Sequence, residues 1–193
     1  RAPEYDPQSA YAIFSARELM KSAGMYQEAI PLYAAELAIE ADEGRKLALL
    51  RDEAETCKLA GDLAAAGRAL AQALDLGDED PALKQEYAEL VLSRAQSGAD
   101  VGADERARAV HFLGALASEA EGEHGLAYAA AALELDPGDD VALGAYANQA
   151  GNLGRDEDIA TRYAAYLKVN PNGAHADAAR RSVGEPGGGD ATA

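Results

Sequence analysis

Three histidines and one cysteine are the residues of this chain best suited to metal binding or nucleophilic catalysis. His111, His124 and His175 are widely separated in the sequence, and none stands at a metal-ligand spacing from Cys57. No CxxC, HExxH, GxGxxG or P-loop pattern occurs. We therefore predict no catalytic residue, no metal site and no cofactor. Cys57 is interpreted as a buried, inert thiol.

Three short acidic clusters are the next candidates, because carboxylates bind calcium. None of them has the alternating oxygen ligands, central glycine and final glutamate of a calcium loop. All three stand at expected helix starts, where a carboxylate accepts hydrogen bonds from free backbone N–H groups and favours the helix dipole. The pattern predicts helix capping and solvation at residues 78–80, 136–140 and 156–158.

The charge of the chain excludes several kinds of partner. It carries 17 basic and 34 acidic residues, a formal net charge of −17, and the acidity is spread along the sequence. Binding to phosphates or to an anionic membrane requires clustered Lys and Arg, so we expect no nucleic acid partner. No apolar run approaches the roughly 20 residues that span a bilayer, so we expect no direct membrane insertion. The acidity favours a basic partner, or serves solubility alone.

The chain opens at Arg1 without an initiator methionine. We interpret it as a processed or excised piece, so its first residue does not tell whether a targeting segment preceded it. A soluble protein of either the cytoplasm or the periplasm fits this interpretation, and one cysteine does not decide between the two compartments.

The composition predicts an all-α protein. Alanine, the best helix former, is the commonest residue, tryptophan is absent, and β-branched residues are scarce. Apolar periodicity and turn residues predict about ten helices, at 8–23, 27–40, 44–60, 63–76, 81–97, 104–120, 124–135, 140–152, 156–169 and 173–182.

Turn and small residues recur along these helices. Gly24, Gly61 and Gly154 each precede a segment of similar pattern, and Pro137 and Pro171 stand 34 residues apart. With repeats starting at 10, 47 and 140, these glycines all fall at place 15. In this register the chain resembles the tetratricopeptide repeat (TPR) family, whose repeat unit of 34 residues is a pair of antiparallel helices.

The resemblance extends to other places of the repeat. Place 8 is Arg17, Ala54 and Ala147; place 20 is Ala29, Ala66 and Ile159; place 24 is Tyr33, Leu70 and Tyr163; and place 27 is Glu36, Ala73 and Tyr166. Small residues at places 8, 20 and 27 allow paired helices to approach closely. The resemblance therefore implies an α-solenoid of stacked helix pairs.

The domain organisation follows from this register. We expect a lead-in (1–7), a helical repeat domain (8–183) and a Gly-rich linker or tail (184–193). Within the domain lie repeats at 10–43, 47–80 and 140–173 and a polar capping helix at 174–183. Residues 81–137 are irregular: either 81–97 pairs with 104–120 in an atypical repeat, or one repeat has lost a helix.

In the TPR family the first helix of each pair lines a concave surface where partner peptides bind. Carrying places 2, 5, 9 and 12 onto this chain gives a candidate groove, with an ordinary solvated face as the alternative. A clamp for a chaperone's C-terminal carboxylate is disfavoured, because only Asn148 resembles its residues. The candidates are Tyr11, Phe14, Glu18, Lys21, Arg51, Glu55, Lys58, Gln85, Glu89 and Asn148.

Three functions are compatible with the sequence. The first is a non-catalytic scaffold that binds a peptide or protein segment. The second is a spacer or self-association module of a larger protein, which would form homo-oligomers. The third is an α-helical enzyme subunit, which requires a pocket of convergent titratable groups that the sequence does not reveal. We predict the first, and that the chain is not an enzyme.

Overall fold

The computed structural model describes residues 7–77 and 79–184, and within them the chain forms helices joined by short turns and loops, with no strand. Residues 1–6 of the predicted lead-in (1–7) and residues 185–193 of the predicted tail (184–193) lie outside the described residues, and Pro7 is already the first residue of a helix. Each predicted helix is present, with ends that agree within a few residues. The helices are α1 Pro7–Ser22, α2 Tyr26–Ile39, α3 Glu43–Leu59, α4 Leu63–Asp75, α5 Pro81–Gln96, α6 Ala103–Glu119, α7 Gly122–Leu135, α8 Asp140–Asn152, α9 Asp156–Val169 and α10 Ala176–Ser182.

The chain divides into two compact units within α5, between Leu90 and Val91. The part of the chain up to Leu90 is unit 1, and the part from Val91 onward is unit 2.

Unit 1 is built from helix pairs. Helix α1 packs against α2, α2 against α3, and α3 against α4. Small side chains are buried where these helices touch: Ala29, Ala66 and Ala73 have no exposed surface. Larger apolar side chains fill the remaining space, among them Tyr33, Leu50, Leu70 and Tyr87.

Unit 2 repeats this architecture. Helix α6 packs against α7 and α8, α8 against α9, and α9 against α10. In the stretch whose pairing the sequence left open, α6 and α7 therefore form a helix pair. Tyr166 connects α8 to the start of α10: its hydroxyl donates to the Asp140 carboxylate and accepts from the backbone N–H of His175, the residue before α10, at 3.3 Å.

The predicted turn glycines adopt the backbone conformation that favours glycine. Gly24, Gly61 and Gly154 have φ angles of 72°, 78° and 70°, in the left-handed region where a side chain is strained. Together with the helix pairs, these turns confirm the all-α class and the resemblance to TPR helix pairs. The repeat boundaries themselves stay a prediction.

Carboxylates cap helices as predicted, although not at every expected residue. The backbone N–H of Ala82 donates to Asp80 at 3.0 Å, and Asp139 caps α8 through Ala142 at 2.7 Å. Asp156 does not cap α9: it is the first residue of that helix, and Arg155 occupies the N-cap. Its carboxylate lies in the first turn, where it favours the helix dipole.

None of the helices in the described part of the chain is both long enough and apolar enough to cross a membrane.

Candidate functional site

A groove opens in unit 1 between α1, the end of α2 and α3. It consists of two adjoining cavities with volumes of about 280 and 450 Å³. Five residues line both cavities, so we treat the two as one groove with an apolar end and a charged end. The shared residues are Phe14, Glu36, Glu40, Arg45 and Leu49.

The apolar end combines exposed aromatic rings with aliphatic side chains. Tyr11 is 71% exposed and Phe14 is 46% exposed, and they stand three residues apart on α1, so they share one helix face. Ile39, at the end of α2, and Leu49 of α3 line the same cavity. Water-exposed aromatic residues beside an apolar wall are typical of a surface that another molecule covers.

At the charged end lies a buried guanidinium. Arg17 is 3% exposed and donates to Glu36 through Nε at 2.8 Å and through its second terminal nitrogen at 3.3 Å. Its other terminal nitrogen donates to Glu18 and to Asp52, each at 2.6 Å. The guanidinium carbon also lies 5.4 Å from the centre of the Phe14 ring. Arg17 therefore links the carboxylates at the charged end of the groove to the exposed Phe14 ring.

Asp52 joins α3 to the helices before it. Its carboxylate accepts from Lys21 at 2.5 and 2.7 Å and from the Tyr33 hydroxyl at 2.6 Å. The Tyr33 hydroxyl also lies 2.7 Å from the Thr56 hydroxyl, which itself donates to the backbone carbonyl of Asp52 at 2.9 Å. Within the described residues, no buried side-chain nitrogen or oxygen lacks a hydrogen-bond partner.

The pKa values in this cluster move away from neutrality. Burial alone would raise the pKa of Asp52, but hydrogen bonds from Lys21 and Tyr33 outweigh it and lower the pKa. Burial would lower the pKa of Lys21, but the hydrogen bond to Asp52 outweighs it and raises the pKa. Burial has the largest effect on the pKa of Tyr33 and raises it, and the hydrogen bond to Asp52 raises it further. These groups are therefore held in one protonation state near pH 7, whereas general acid–base catalysis needs a group that changes state there.

A second set of ion pairs joins α3 to α5 and to Asp80, the residue before α5. Lys58 donates to Glu86 at 2.7 Å and pairs with Glu55 at 2.5 Å. Arg51 pairs with Asp80 at 3.0 Å. The cations expected to meet a partner are thus already paired with carboxylates of the same face.

The structure brings some of the ten predicted groove residues together and separates others. Tyr11, Phe14, Glu18 and Lys21 line the groove. A second group, on α3 and α5 of unit 1, lies outside its lining: Arg51, Glu55, Lys58, Gln85 and Glu89. Gln85 donates to Glu89 at 2.8 Å. Asn148 is exposed on α8 and belongs to unit 2.

Several residues of the groove were not predicted from the sequence. Arg17 and Glu36 fall at places 8 and 27, where the family pattern has small residues, and Ile39 and Leu49 fall outside the four places carried over. The signal for the first two was available: residues of opposite charge replace small ones at two places that face each other in a helix pair.

The two tyrosines at place 24 of the repeats differ in burial. Tyr33 is fully buried, whereas Tyr163 is only half-buried, and the fully buried tyrosine of α9 is Tyr166, at place 27.

Cys57 is fully buried in the core of unit 1 beside Ala65, Ala66 and Leu90. Burial, the largest effect, and the negative charges of Glu53 and Asp62 together raise the pKa of its thiol to about 11. The raised pKa disfavours the reactive thiolate. Across residues 7–77 and 79–184, no group of three or more His, Cys, Asp or Glu side chains is placed to hold a metal ion.

Fold and site together define the class of this protein: an all-α protein of TPR-like helix pairs with an aromatic-edged groove in unit 1. No protein-family model matches the chain, and no curated protein matches it. Among solved structures it is similar to YrrB, described as a TPR protein with an unusual peptide-binding site. The two are 17% identical, with a TM-score of 0.38, and the match covers 88% of this chain and 90% of YrrB.

Proposed function

We propose that this chain is a non-catalytic protein-binding module whose groove in unit 1 holds a segment of another protein. The observation that carries this proposal is the exposure of Tyr11 and Phe14 at the edge of the groove. An apolar side chain of a partner would bury both rings and displace water from Ile39 and Leu49, which is the main source of affinity at protein interfaces.

The polar groups of the groove favour binding over catalysis. Arg17 and Lys21 both donate hydrogen bonds to Asp52. None of these three side chains is therefore left to activate a nucleophile or transfer a proton at neutral pH. The same hydrogen bonds fix the walls before a partner arrives. A preformed site loses less conformational entropy on binding than a flexible one.

Arg17 also orients the aromatic edge. Its guanidinium carbon lies 5.4 Å from the centre of the Phe14 ring and 4.5 Å from the centre of the Tyr33 ring. This cation–π contact restrains Phe14 in the position from which it meets the partner.

The test is a selection of random peptides on the purified full chain, followed by titration calorimetry with the selected peptides. We expect Phe14→Ala and Tyr11→Ala each to weaken binding by roughly tenfold or more, because truncated aromatic anchors commonly cost 2 kcal/mol or more. The matched control is Leu19→Ala: Leu19 lies on the same helix and is 70% exposed, but it lines neither cavity.

Two outcomes would reject the proposal. If no peptide is enriched over an uncoated surface, the binding function is wrong. If peptides bind equally to the Phe14, Tyr11 and Leu19 variants, the groove is not the binding site.

The predicted binding residues that do not line the groove are also proposed to contact a partner. Arg51, Glu55, Lys58, Gln85 and Glu89 extend the surface beyond the groove along α3 and α5, and Asn148 would act separately in unit 2. Self-association is tested by light scattering across a range of concentrations, where a constant monomer mass would exclude it.

A further inference from the structure

Asn172 is the only asparagine of the sequence that is followed by a glycine. The pair Asn172-Gly173 lies in the loop between α9 and α10 of unit 2, and Asn172 is an exposed residue. Asparagine is a chemically labile residue. It loses its side-chain amide most readily before glycine, which has no side chain to shield the backbone nitrogen that attacks the amide.

The loop leaves the reacting groups of this pair accessible. Among the described residues, no hydrogen bond holds the side-chain amide of Asn172. The backbone N–H of Gly173 donates to the carbonyl oxygen of Asn170 at 3.3 Å, which is longer than the usual N–H···O distance of about 2.9–3.0 Å. The Gly173 nitrogen is therefore free to react once this one long hydrogen bond opens.

Two other exposed asparagines provide a contrast within the same unit. Asn148 and Asn152 both lie in α8. A helical side chain points back toward the N-terminus of its helix, away from the nitrogen of the following residue. The N–H of Leu153, which follows Asn152, also donates to two carbonyl oxygens of α8 at 3.1 Å. The helix therefore protects these two asparagines, and the loop does not protect Asn172 in this way.

We propose that Asn172 is a site of spontaneous modification, at which reaction with water converts its side-chain amide into aspartate and isoaspartate. The Gly173 nitrogen gives its proton to solvent and bonds to Cγ of Asn172. The bond between Cγ and the amide nitrogen then breaks, and this nitrogen takes up a proton and leaves as ammonia. The product is a cyclic imide, and no group is oxidised or reduced.

Water opens the cyclic imide at either of its two carbonyl carbons. Cleavage of the bond between Cγ and the Gly173 nitrogen gives aspartate with an unchanged main chain. Cleavage of the bond between the backbone carbonyl carbon of Asn172 and the Gly173 nitrogen gives isoaspartate. In isoaspartate the main chain runs through Cβ and Cγ, so it is one carbon longer immediately before Gly173.

Gly173 is closely packed, so the longer main chain disturbs its surroundings. A Cβ at Gly173 would overlap the hydroxyl of Tyr166 and the side-chain amide of Asn170. The carbonyl oxygen of Gly173 accepts from the N–H of Ala176, the first residue of α10, at 3.1 Å. Isoaspartate at position 172 therefore displaces the start of α10.

Helix α10 depends on contacts at this end. It has seven residues, and isolated helices of this length are not stable in water. The N–H of His175 donates to the Tyr166 hydroxyl at 3.3 Å, and Nε2 of His175 lies 3.0 Å from the carbonyl oxygen of Asp140. Displacement of Gly173 weakens these contacts, so α10 opens more often after the modification. This inference does not depend on the proposed function of the groove in unit 1.

The experiment incubates the full chain under native conditions and in urea, and measures deamidation at each asparagine by peptide mapping with mass spectrometry. Labelling by an isoaspartyl methyltransferase identifies isoaspartate. In the folded chain we expect Asn172 to react many times faster than Asn148 and Asn152, at a rate within severalfold of its rate in urea. Asn172→Gln should remove the fast reaction, because the longer side chain does not readily form the cyclic imide.

Hydrogen exchange of the α10 amides tests the structural effect. These amides should exchange severalfold faster in the incubated chain than in fresh protein, and incubated Asn172→Gln should behave like fresh protein. Freshly prepared Asn172→Asp is the matched control for charge. It carries the new carboxylate on an unchanged main chain, so its α10 amides should exchange as in the original chain.

Three results would contradict this inference. If Asn172 reacts in urea but is stable in the folded chain, the loop protects it and the modification site is wrong. Equal rates at Asn172 and Asn152 in the folded chain would also reject the site. If isoaspartate accumulates at position 172 while the α10 amides exchange as in fresh protein, the proposed effect on α10 is wrong.

Discussion

Arg17 and Glu36 form a buried ion pair where a TPR-like helix pair normally brings two small residues together. The Nε of Arg17 lies 2.8 Å from Oε1 of Glu36, and the two residues are 3% and 8% exposed. The equivalent places of the next pair are Ala54 and Ala73, both buried. In the first helix pair, an ion pair therefore joins the two helices at the places where small side chains pack together in the second pair.

Removing the two members of this pair should have unequal effects. Glu36→Ala leaves Arg17 with Glu18 and Asp52, whereas Arg17→Ala leaves the buried Glu36 carboxylate without the guanidinium that binds it. We expect Arg17→Ala to lower the free energy of unfolding by about 3–5 kcal/mol, the range for an uncompensated buried charge, and Glu36→Ala by less. Urea denaturation with the linear extrapolation method measures both.

The double variant completes this test. Removing Glu36 in the Arg17→Ala background eliminates the stranded charge, so the double variant should be more stable than Arg17→Ala alone. We expect a coupling energy of roughly 0.5–3 kcal/mol. Additive effects of the two substitutions would show that the pair is not coupled.

The ion pair between Lys21 and Asp52 predicts how stability depends on pH. The pKa of Asp52 is lowered from its ordinary value of 3.8, so its contribution is complete above that value and is lost as the pH falls through the folded-state pKa. The pKa of Lys21 is raised from 10.5, so its contribution is complete below that value and is lost as the pH rises further. We therefore expect this pair to contribute fully between about pH 5 and pH 10.

Asp52→Asn provides the comparison. Unfolding free energies measured by urea from about pH 3 to pH 7 should fall more steeply toward acid in the original chain than in the variant. Glu28→Gln, which changes an exposed residue without a described ion pair, should leave the acid slope as it is. Parallel slopes for the original chain and Asp52→Asn would contradict the lowered pKa.

The sequence predicted the helices well because their ends are marked by local chemistry. Gly24 and Gly61 require a turn, Pro81 suits a first helical position, and alanine-rich stretches between them have no competing structure. The contacts between helices were harder to predict from the sequence. The partnership of Arg17 and Glu36 spans 19 residues and depends on how two helices are rotated toward each other, which periodicity alone does not fix.

The groove was predicted only in part for the same reason. Places carried from a repeat pattern locate residues such as Tyr11 and Phe14 on the first helix. They do not show that the end of α2 brings Ile39 to the same cavity, or that Lys58 is already bound by two carboxylates. The pairing of α6 with α7 was likewise left open, since Gly122 rather than a place-15 glycine makes that turn.

Cys57 should be nearly unreactive while the chain is folded. With a pKa of about 11, its thiolate fraction at pH 8 is about a hundredfold lower than that of a thiol with a pKa near 9, and burial excludes reagents. We expect slow modification by a chromogenic disulfide reagent, accelerating in urea. The control is Leu59→Cys combined with Cys57→Ala, which places a thiol at a 54% exposed position of the same helix. Similar rates for the two thiols would contradict this burial.

Gly125 should be intolerant of any side chain. A Cβ at this residue would lie 2.5 Å from the backbone oxygen of Ala120 and 2.8 Å from Nε2 of Gln149. Gln149 holds the turn between α6 and α7, since its Nε2 donates to the Ala120 carbonyl at 2.9 Å and its Oε1 accepts from the Gly122 N–H at 3.0 Å. Gly125→Ala should therefore displace this clamp and lower the unfolding free energy by about 1–3 kcal/mol through overpacking.

Gly151 is the matched control for this substitution. It lies in α8, and a Cβ there would meet no atom within 4 Å. Gly151→Ala should raise the unfolding free energy by about 0.5–1 kcal/mol, since alanine restricts the unfolded chain and favours the helix. Thermal and urea unfolding of both variants measure the contrast. If Gly125→Ala is as stable as Gly151→Ala, the Gln149 clamp does not hold the α6–α7 turn in the way that these contacts imply.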